Sequence, residues 1–538
     1  MKTRIFKAIA SGLVFAAFVL AFAGAASADV YFNLNGTSEE FTFWTAMGST
    51  LLTNLGCQSI VAVTKQVSIT DVSNGSGSKS GIVLGNQCSS LSDQGYLYFT
   101  YTNKASWDGI DAVNNVWDGS NWGTYNTSTQ TYNVASDPCA SATTPDGLSC
   151  SNHNCRKVAY CVGCATGSTP GSTCEAIQVG ASNLEASGII QKTQGNLKGP
   201  VNAGQIYTYR QFPPTGIATP YSGAPSAPLA YPFAFYVNPG VKAWQCVDGG
   251  ATLNQFCNPN ASPSDCTPGT CTWTTINNIS RVQAVALFSG QIKYWGDFGP
   301  YFSQTYIQND TSLPVTLCLR HAGSGTHSVL DIAVMKDNGF GTSNLAKAEN
   351  RSIAGNNPPY VYFNDLSSDE TACLAWASGL TTVSSGDPLP TNYSSVDGGA
   401  IGYVDADTTN GLNGSQQVMY YRVQYNGVWP TRGTMDNGIY DDFWTIDRLY
   451  PAASVGSSTA PGPDQGVIYN EMLTLVANPA NICNAAAQCN YYGSATELNF
   501  TKGATTTYPY VYTPAANQFF PADVEKKPVG AAKAKKVN

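Results

Sequence analysis

An α/β fold with a mainly parallel sheet is what this sequence predicts, and three observations predict it. Apolar, β-branched runs of strand length alternate with stretches of helical periodicity along most of the chain. Three of the strands end in turns of small polar residues, at 36–38, 181–183 and 323–326, where an α/β sheet presents the carboxyl ends of its strands to ligands. With 538 residues, the chain is also long enough for more than one domain and a sizeable core.

The chain opens with Lys2, Arg4 and Lys7, an apolar run from Ala8 to Ala23, and the small residues Ala26, Ser27 and Ala28. That pattern is a secretory signal peptide over 1–28. No cysteine follows the cleavage site, which argues against a lipid anchor, and no later segment is apolar for long enough to span a bilayer. The mature protein is therefore expected to be soluble and exported, periplasmic or extracellular.

Val30 to Leu34 then reads as a strand. Glu39 and Glu40, followed by Phe43, Trp44, Met47, Leu51 and Leu52, read as a helix whose N-cap is Thr37 or Ser38. From about 70 to 175 the composition turns polar and rich in Gly, Ser, Asn and Cys. Most of this is expected to be an insertion carrying short strand-like pieces such as Tyr96 to Tyr101. Ala176 to Gly180 resumes the order as a strand, ending in Ala181, Ser182, Asn183. Tyr231 to Val237 is a buried strand, and a second cysteine-rich insertion covers 246–271. Ile279 to Gly290 reads as a helix closed by Gly290. Gly398 to Val404 is a strand, Val418–Val423 and Gly427–Trp429 a strand pair, and Asp441 to Tyr450 a short aromatic segment. Residues 516–538 end in a Lys/Ala-rich stretch without a core face, expected to be a disordered tail.

The stretch from Cys318 to Ala333 carries the most chemistry. Leu313 to Leu319 has the residues of a buried strand, and Val329, Leu330, Ile332 and Ala333 recur at helical spacing up to Asn338 and Gly339. Between them, Ser324, Gly325 and Thr326 let backbone approach a ligand closely, and the free N–H groups of a helix start attract an anion. Arg320 stands at the mouth of that turn with a planar fork suited to two oxygens of an oxyanion.

Composition narrows the classes. The formal charge is −8 with only 12% charged residues, and no basic stripe exists for nucleic acid. Sixteen cysteines suit an exported protein and allow full pairing, although sequence does not fix the connectivity. The rival reading of the 139–174 cluster is metal binding by Cys155, Cys161 and Cys164 with His153. Three histidines, none in a nucleophile or metal motif, argue against an enzyme, and no cofactor motif is present.

Five pieces of the chain resemble the phosphate-binding proteins of ABC importers, which have the type II periplasmic-binding-protein fold. They are Ala181 to Glu185, Pro232 to Asn238, Ala284 to Phe298, Arg320 to Thr326 and Ala400 to Val404, in that family's order. The resemblance implies a two-lobed α/β fold with disulfide-rich loop insertions. Lobe one would be 29–225 plus 425–515 and lobe two 226–424, with an anion in the cleft between them. It assigns binding roles to Thr37, Ser38, Ser182, Asn183, Arg320, Ser324, Gly325 and Thr326, with phosphate or a similar small inorganic oxyanion as ligand, an ABC importer permease as partner, and a monomer as the state.

The chain departs from that family at Asn183 and Ala322, where the motif has aspartates that accept protons from bound phosphate. An unaccepted phosphate hydroxyl would lose roughly 1–3 kcal/mol. His321 and His327 are either surface residues of the first helical turn or substitutes, neutral as acceptors or charged as anion partners. The departures and the large insertions also fit a second expectation. In it the lobes are a ligand-free scaffold, and the disulfide-rich loops act in extracellular adhesion or assembly.

Overall fold

The computed structural model describes residues 29–62, 67–70, 79–103, 106–114, 123–126, 131–134, 139, 155–160, 171–183, 192–196, 206–209, 226–258, 266–302, 313–320, 324–335, 358–364, 366–377, 399–440, 442–452, 455, 463–482 and 490–494. The signal peptide, His321, Ala322, Asn338, Gly339, the Cys161/Cys164 and Cys483/Cys489 pairs and the tail lie outside the described residues.

The chain is a mixed α/β protein built on one large sheet, with 13 strands among the described residues. In chain order the elements that position the site begin with β1 (Val30–Gly36) and α1 (Ser38–Asn54). Then come β2 (Gln58–Ala62), β3 (Lys79–Asn86), β4 (Tyr96–Asn103) and α2 (Ser106–Asn114). β5 (Val179–Ser182) and the long β6 (Ser226–Val237) follow. After a small disulfide-stapled sheet come α3 (Arg281–Phe288), β7 (Val315–Arg320) and α4 (Gly325–Val329). β8 (Tyr360–Asn364), α5 (Ser367–Trp376), β9 (Gly399–Asp405) and β10 (Trp444–Pro451) complete the set.

The strand order is β8-β7-β9-β6-β10-β5-β1-β4-β3-β2. β5, β1 and β4 are mutually parallel, and β7, β8 and β9 are mutually parallel. The two sets meet through β6. Its first part pairs antiparallel with β10 up to Pro232↔Trp444, and its second part pairs antiparallel with β9 from Phe233↔Asp405. β10 in turn pairs antiparallel with β5, so β5 and β1 run along β6 towards its middle, while β7 and β9 run against it towards the same point. The carboxyl ends of both parallel sets therefore face one another near Tyr231–Phe233. The apolar packing is continuous across this junction, with Trp44, Trp295 and Trp444 in one cluster.

Several expectations need correcting. The segment read as insertion from about 70 is not all insertion. β4 pairs in parallel with the whole of β1, from Val30↔Leu97 to Gly36↔Asn103, and β3 pairs with β4. Tyr96-Leu-Tyr-Phe-Thr-Tyr-Thr is an aromatic and β-branched run, and that preference outweighs its polar surroundings. The aromatic segment ending at Tyr450 is a full central strand, buried throughout. Val418–Arg422 pairs with Gly411–Leu412 and β6, not with 427–429. The helix expected over 279–290 is shorter, capped by Ser280, whose hydroxyl accepts from Gln283 N, and Gly290 has φ 75°.

Disulfides join Cys57–Cys88, Cys139–Cys174, Cys246–Cys266, Cys257–Cys271 and Cys318–Cys373, and Cys155 is also disulfide-bonded, which excludes it as a metal thiolate. Among the described residues, no helix is long and apolar enough to cross a membrane.

Candidate functional site

Each of the three small-residue turns lies at the converging strand ends, and each is tied down by polar contacts within the chain. After β1 the backbone passes so near β5 that a Cβ on Gly36 (φ 145°) would stand 2.0 Å from the Ala181 carbonyl oxygen. Only glycine fits there. Thr37 occupies the N-cap position of α1 but makes no side-chain cap; its hydroxyl donates to Asp447 Oδ2 at 2.5 Å instead. Ser38 Oγ donates to Asp405 Oδ2 at 3.2 Å. These two hydroxyls, expected to face an anion, face carboxyl groups from β10 and β9.

The first turn of α1 adds two buried acids. Burial, then the charges of Asp405 and Asp447, push Glu39 well above the carboxylate range. Glu40 is raised by burial and by Asp447, while its Oε2 accepts from Trp44 Nε1 at 2.6 Å. Asp447 itself is pushed up to about 7 by burial, against the opposing hydrogen bond from Thr37 and the backbone N–H of Arg448. Glu39 Oε1 and Asp405 Oδ1 are buried without a hydrogen-bond partner.

At the second turn the strand runs further than expected. Ser182 is the last residue of β5, in register with Arg448, rather than a turn residue. Asn183 follows it, buried. Its Oδ1 accepts from Ser106 Oγ at the start of α2, and its carbonyl accepts from Thr445 Oγ1 at 2.9 Å.

The third turn carries Arg320, which ends β7 rather than opening the turn. It is 4% exposed. Its backbone N–H donates to Tyr403 Oη at 3.1 Å and its guanidinium to Ser367 Oγ at 2.6 Å, at the start of α5. Its charge also acts on Glu370 of α5, whose carboxyl burial drives well above the usual range. Ser324 is the N-cap of α4 and accepts from His327 N at 3.5 Å; Gly325 and Thr326 are buried with it. Gly325 lies against the opposite side, since a Cβ there would stand 1.4 Å from Asn183 Oδ1 and 2.1 Å from Ser106 Oγ.

His327 is neither a surface residue nor a charged anion partner. Burial first, and then Arg320, pull it down to about 3, and its Nδ1 lies 2.7 Å from Tyr403 Oη. A neutral imidazole in hydrogen-bond contact with Tyr403 adds no positive charge to the junction.

Thr37 and Ser38 are thus brought to Asp447 and Asp405, and Asn183 to Gly325. The guanidinium hydrogen bond to Ser367 keeps Arg320 on its own side, with Tyr403. The sequence reasoning missed Asp405, Asp447, Ser106, Ser367, Glu370 and Tyr403. One signal was available: Asp447 and Arg448 interrupt an otherwise apolar and aromatic run, and charges inside a buried strand need partners.

No protein-family model matches this chain, and no curated protein matches it. Among solved structures it is similar to an ABC-type phosphate transport receptor from Vibrio cholerae, at 14% identity over 48% of this chain and 69% of that one, with a TM-score of 0.26. It is also similar to PstS from Borrelia burgdorferi, at 10% identity over 50% of this chain and 71% of that one, with a TM-score of 0.26. A TM-score that low does not establish a shared fold.

Proposed function

We propose that this chain is an exported solute-binding protein of the two-lobed type II kind that takes an oxyanion, phosphate first among candidates, between its lobes. The observation that supports it is the convergence of two parallel strand sets, carboxyl ends facing, on the middle of β6, with all three small-residue turns and the buried Arg320 around that junction. In this reading the chain crosses from lobe one (29–225 plus 425–515) to lobe two (226–424) at the start of β6 and returns after 424, ahead of β10. Arg320 supplies the fixed positive charge, and Ser324, Gly325 and Thr326 supply donors. Asp405 and Asp447 offer acceptors that Asn183 and Ala322 do not, so a protonated anion has partners for its hydroxyl. Delivery to an importer permease follows from the same reading.

Isothermal titration with phosphate, sulfate and molybdate tests it. Heat is expected with at least one anion and is abolished by Arg320→Ala. Silence for every anion removes the reading, and binding that survives Arg320→Ala shows that the cleft is misassigned.

The second reading, a ligand-free scaffold acting in adhesion or assembly through its disulfide-rich loops, is favoured by one specific feature. The hydroxyls of Thr37 and Ser38 already donate to Asp447 and Asp405, and Asn183 fills the space in front of Gly325. A protein silent to anions that still binds the producing cell's surface, and stops binding when the 115–170 segment is deleted, would favour it.

A further inference from the structure

Arg320 and the Ser324–Thr326 turn are close in the chain but belong to different elements, the end of β7 and the start of α4. One side chain from a third element touches both sides. Tyr403 of β9 is fully buried; its hydroxyl accepts the Arg320 backbone N–H at 3.1 Å and meets His327 Nδ1 at 2.7 Å. His327 directly follows Thr326, and its own N–H donates to Ser324 Oγ, so it belongs to the turn as well as to the helix. Tyr403 is held independently of the groups it joins. Its backbone N–H donates to Glu370 Oε1 of α5 at 2.7 Å, and its ring packs edge-on against Phe288 of α3, with centroids 5.5 Å apart.

Counting hydrogens gives the direction of the contact with His327. A tyrosine hydroxyl carries one hydrogen and acceptor lone pairs. The Arg320 N–H occupies a lone pair, so the hydrogen needs an acceptor of its own. Among the described residues His327 Nδ1 is the acceptor within reach, and a buried hydroxyl hydrogen left without one is costly. Tyr403 therefore donates to Nδ1, which must carry a lone pair. The ring is neutral and its hydrogen sits on Nε2. Neither role that the sequence left open for His327 survives this count. Nδ1 is taken by Tyr403, so it is no acceptor for a ligand, and the ring has no charge with which to pair an anion.

We propose that Tyr403 is the positioning residue of the third turn: through one hydroxyl it ties the Arg320 backbone to the start of α4 and holds His327 in the Nε2–H tautomer, so that this imidazole can only donate. The consequence for a ligand rests on the oxyanion reading above, in which Arg320 and the Ser324–Thr326 turn act together on one anion. The hydrogen-bond assignment itself stands on the two contacts of the hydroxyl. Within that reading the guanidinium and the turn donors belong to separate elements, and an anion that needs both gains from having their spacing set before it arrives. Tyr403 sets that spacing from β9, without contact with the ligand being required of it.

The test is NMR of isotope-labelled histidine ring nitrogens in the full chain near neutral pH, with calorimetric titration of phosphate on the same samples. The chain has three histidines, and His327→Ala identifies the signals of residue 327. The wild type is expected to show an unprotonated Nδ1 and a protonated Nε2 there. Tyr403→Phe keeps the ring and its packing but removes the hydroxyl. The Nδ1 signal should shift as it loses its hydrogen bond, and phosphate affinity should fall about tenfold. His327→Ala cuts the same bridge from the other end, so the double variant should bind about as weakly as the weaker single one. A protonated Nδ1 in the wild type overturns the proposal, whether or not any variant folds. So does an Nδ1 signal unmoved by Tyr403→Phe, or wild-type phosphate affinity in that variant. The expected tautomer and its response in a chain that binds no phosphate support the Tyr403–His327 assignment and remove the oxyanion reading. Phosphate binding with a protonated Nδ1 does the reverse.

Discussion

Replacing Gly325 by alanine tests whether the third turn really abuts the second. Gly325 is the first residue of α4 and is not in the left-handed region, so its backbone tolerates a side chain. Intrinsic helix preference alone would then favour alanine by up to about 1 kcal/mol. Against this, the new Cβ would stand 1.4 Å from Asn183 Oδ1 and 2.1 Å from Ser106 Oγ, so the Asn183 side chain must rotate away or the turn must withdraw. Rotation breaks the Ser106–Asn183 hydrogen bond and leaves a buried hydroxyl and a buried amide to find new partners. One lost bond with an unsatisfied buried group costs about 1–3 kcal/mol, and overpacking adds a similar amount, so the steric effect wins and a net loss of about 2–4 kcal/mol is expected. Denaturant unfolding of Gly325→Ala, Asn183→Ala and the double variant measures it. Because Asn183→Ala removes the obstructing atom, the two changes should couple by at least about 1 kcal/mol. A loss under about 0.5 kcal/mol with additive behaviour would refute the contact between the turns.

Two other predictions concern how the site is held. The Cys318–Cys373 bridge closes a 55-residue separation and pins α5 beside Arg320, so changing both cysteines to alanine should destabilise by about 4 kcal/mol on loop-closure grounds, read by denaturant unfolding, and a loss under about 1 kcal/mol would contradict that anchoring. Asp447 keeps its proton up to about 7 in the folded chain while an unfolded aspartate releases it near 4, so unfolding releases a proton between those values. Its contribution to stability is therefore lost as pH rises through that window, by at most about 1.4 kcal/mol per unit, and is flat outside it. Asp447→Asn should flatten the slope between pH 4.5 and 6.5, and an unchanged slope would place that proton elsewhere.

Much of the frame was legible because it rests on local patterns. The strands at Val30, Tyr231, Val315 and Gly399 are apolar runs buried on both faces, and the turns at 36–38 and 324–326 follow them as small residues should. The misses were of another kind. β4 is rich in threonine and tyrosine, whose hydroxyls make a buried strand look like surface; Thr100 and Thr102 donate to Asn33 and Asn35 across the β1 pairing, and that partner lies 67 residues away. β10 hides a strand beneath Asp447 and Arg448: Arg448 donates to the Ile446 carbonyl of its own strand, but Asp447 is satisfied by Thr37, 410 residues away. Long-range satisfaction of a polar group leaves no periodic trace in one sequence.

The same reasoning explains what the motif residues alone leave out of this junction. Asn183 removes a negative charge from the second turn, and read by itself that loss points to an anion carrying no proton. The fold brings Asp405 from β9 and Asp447 from β10 to the first turn, along with Glu39 and Glu40 from α1, so the junction contains more carboxyl groups than the motif ever specified. Burial raises Glu39, Glu40 and Asp447 above the ordinary carboxylate range, and a protonated carboxyl both donates and accepts. Phosphate retains a proton near neutral pH and sulfate and molybdate do not, so under the proposed oxyanion reading phosphate is expected to give the largest heat of the three.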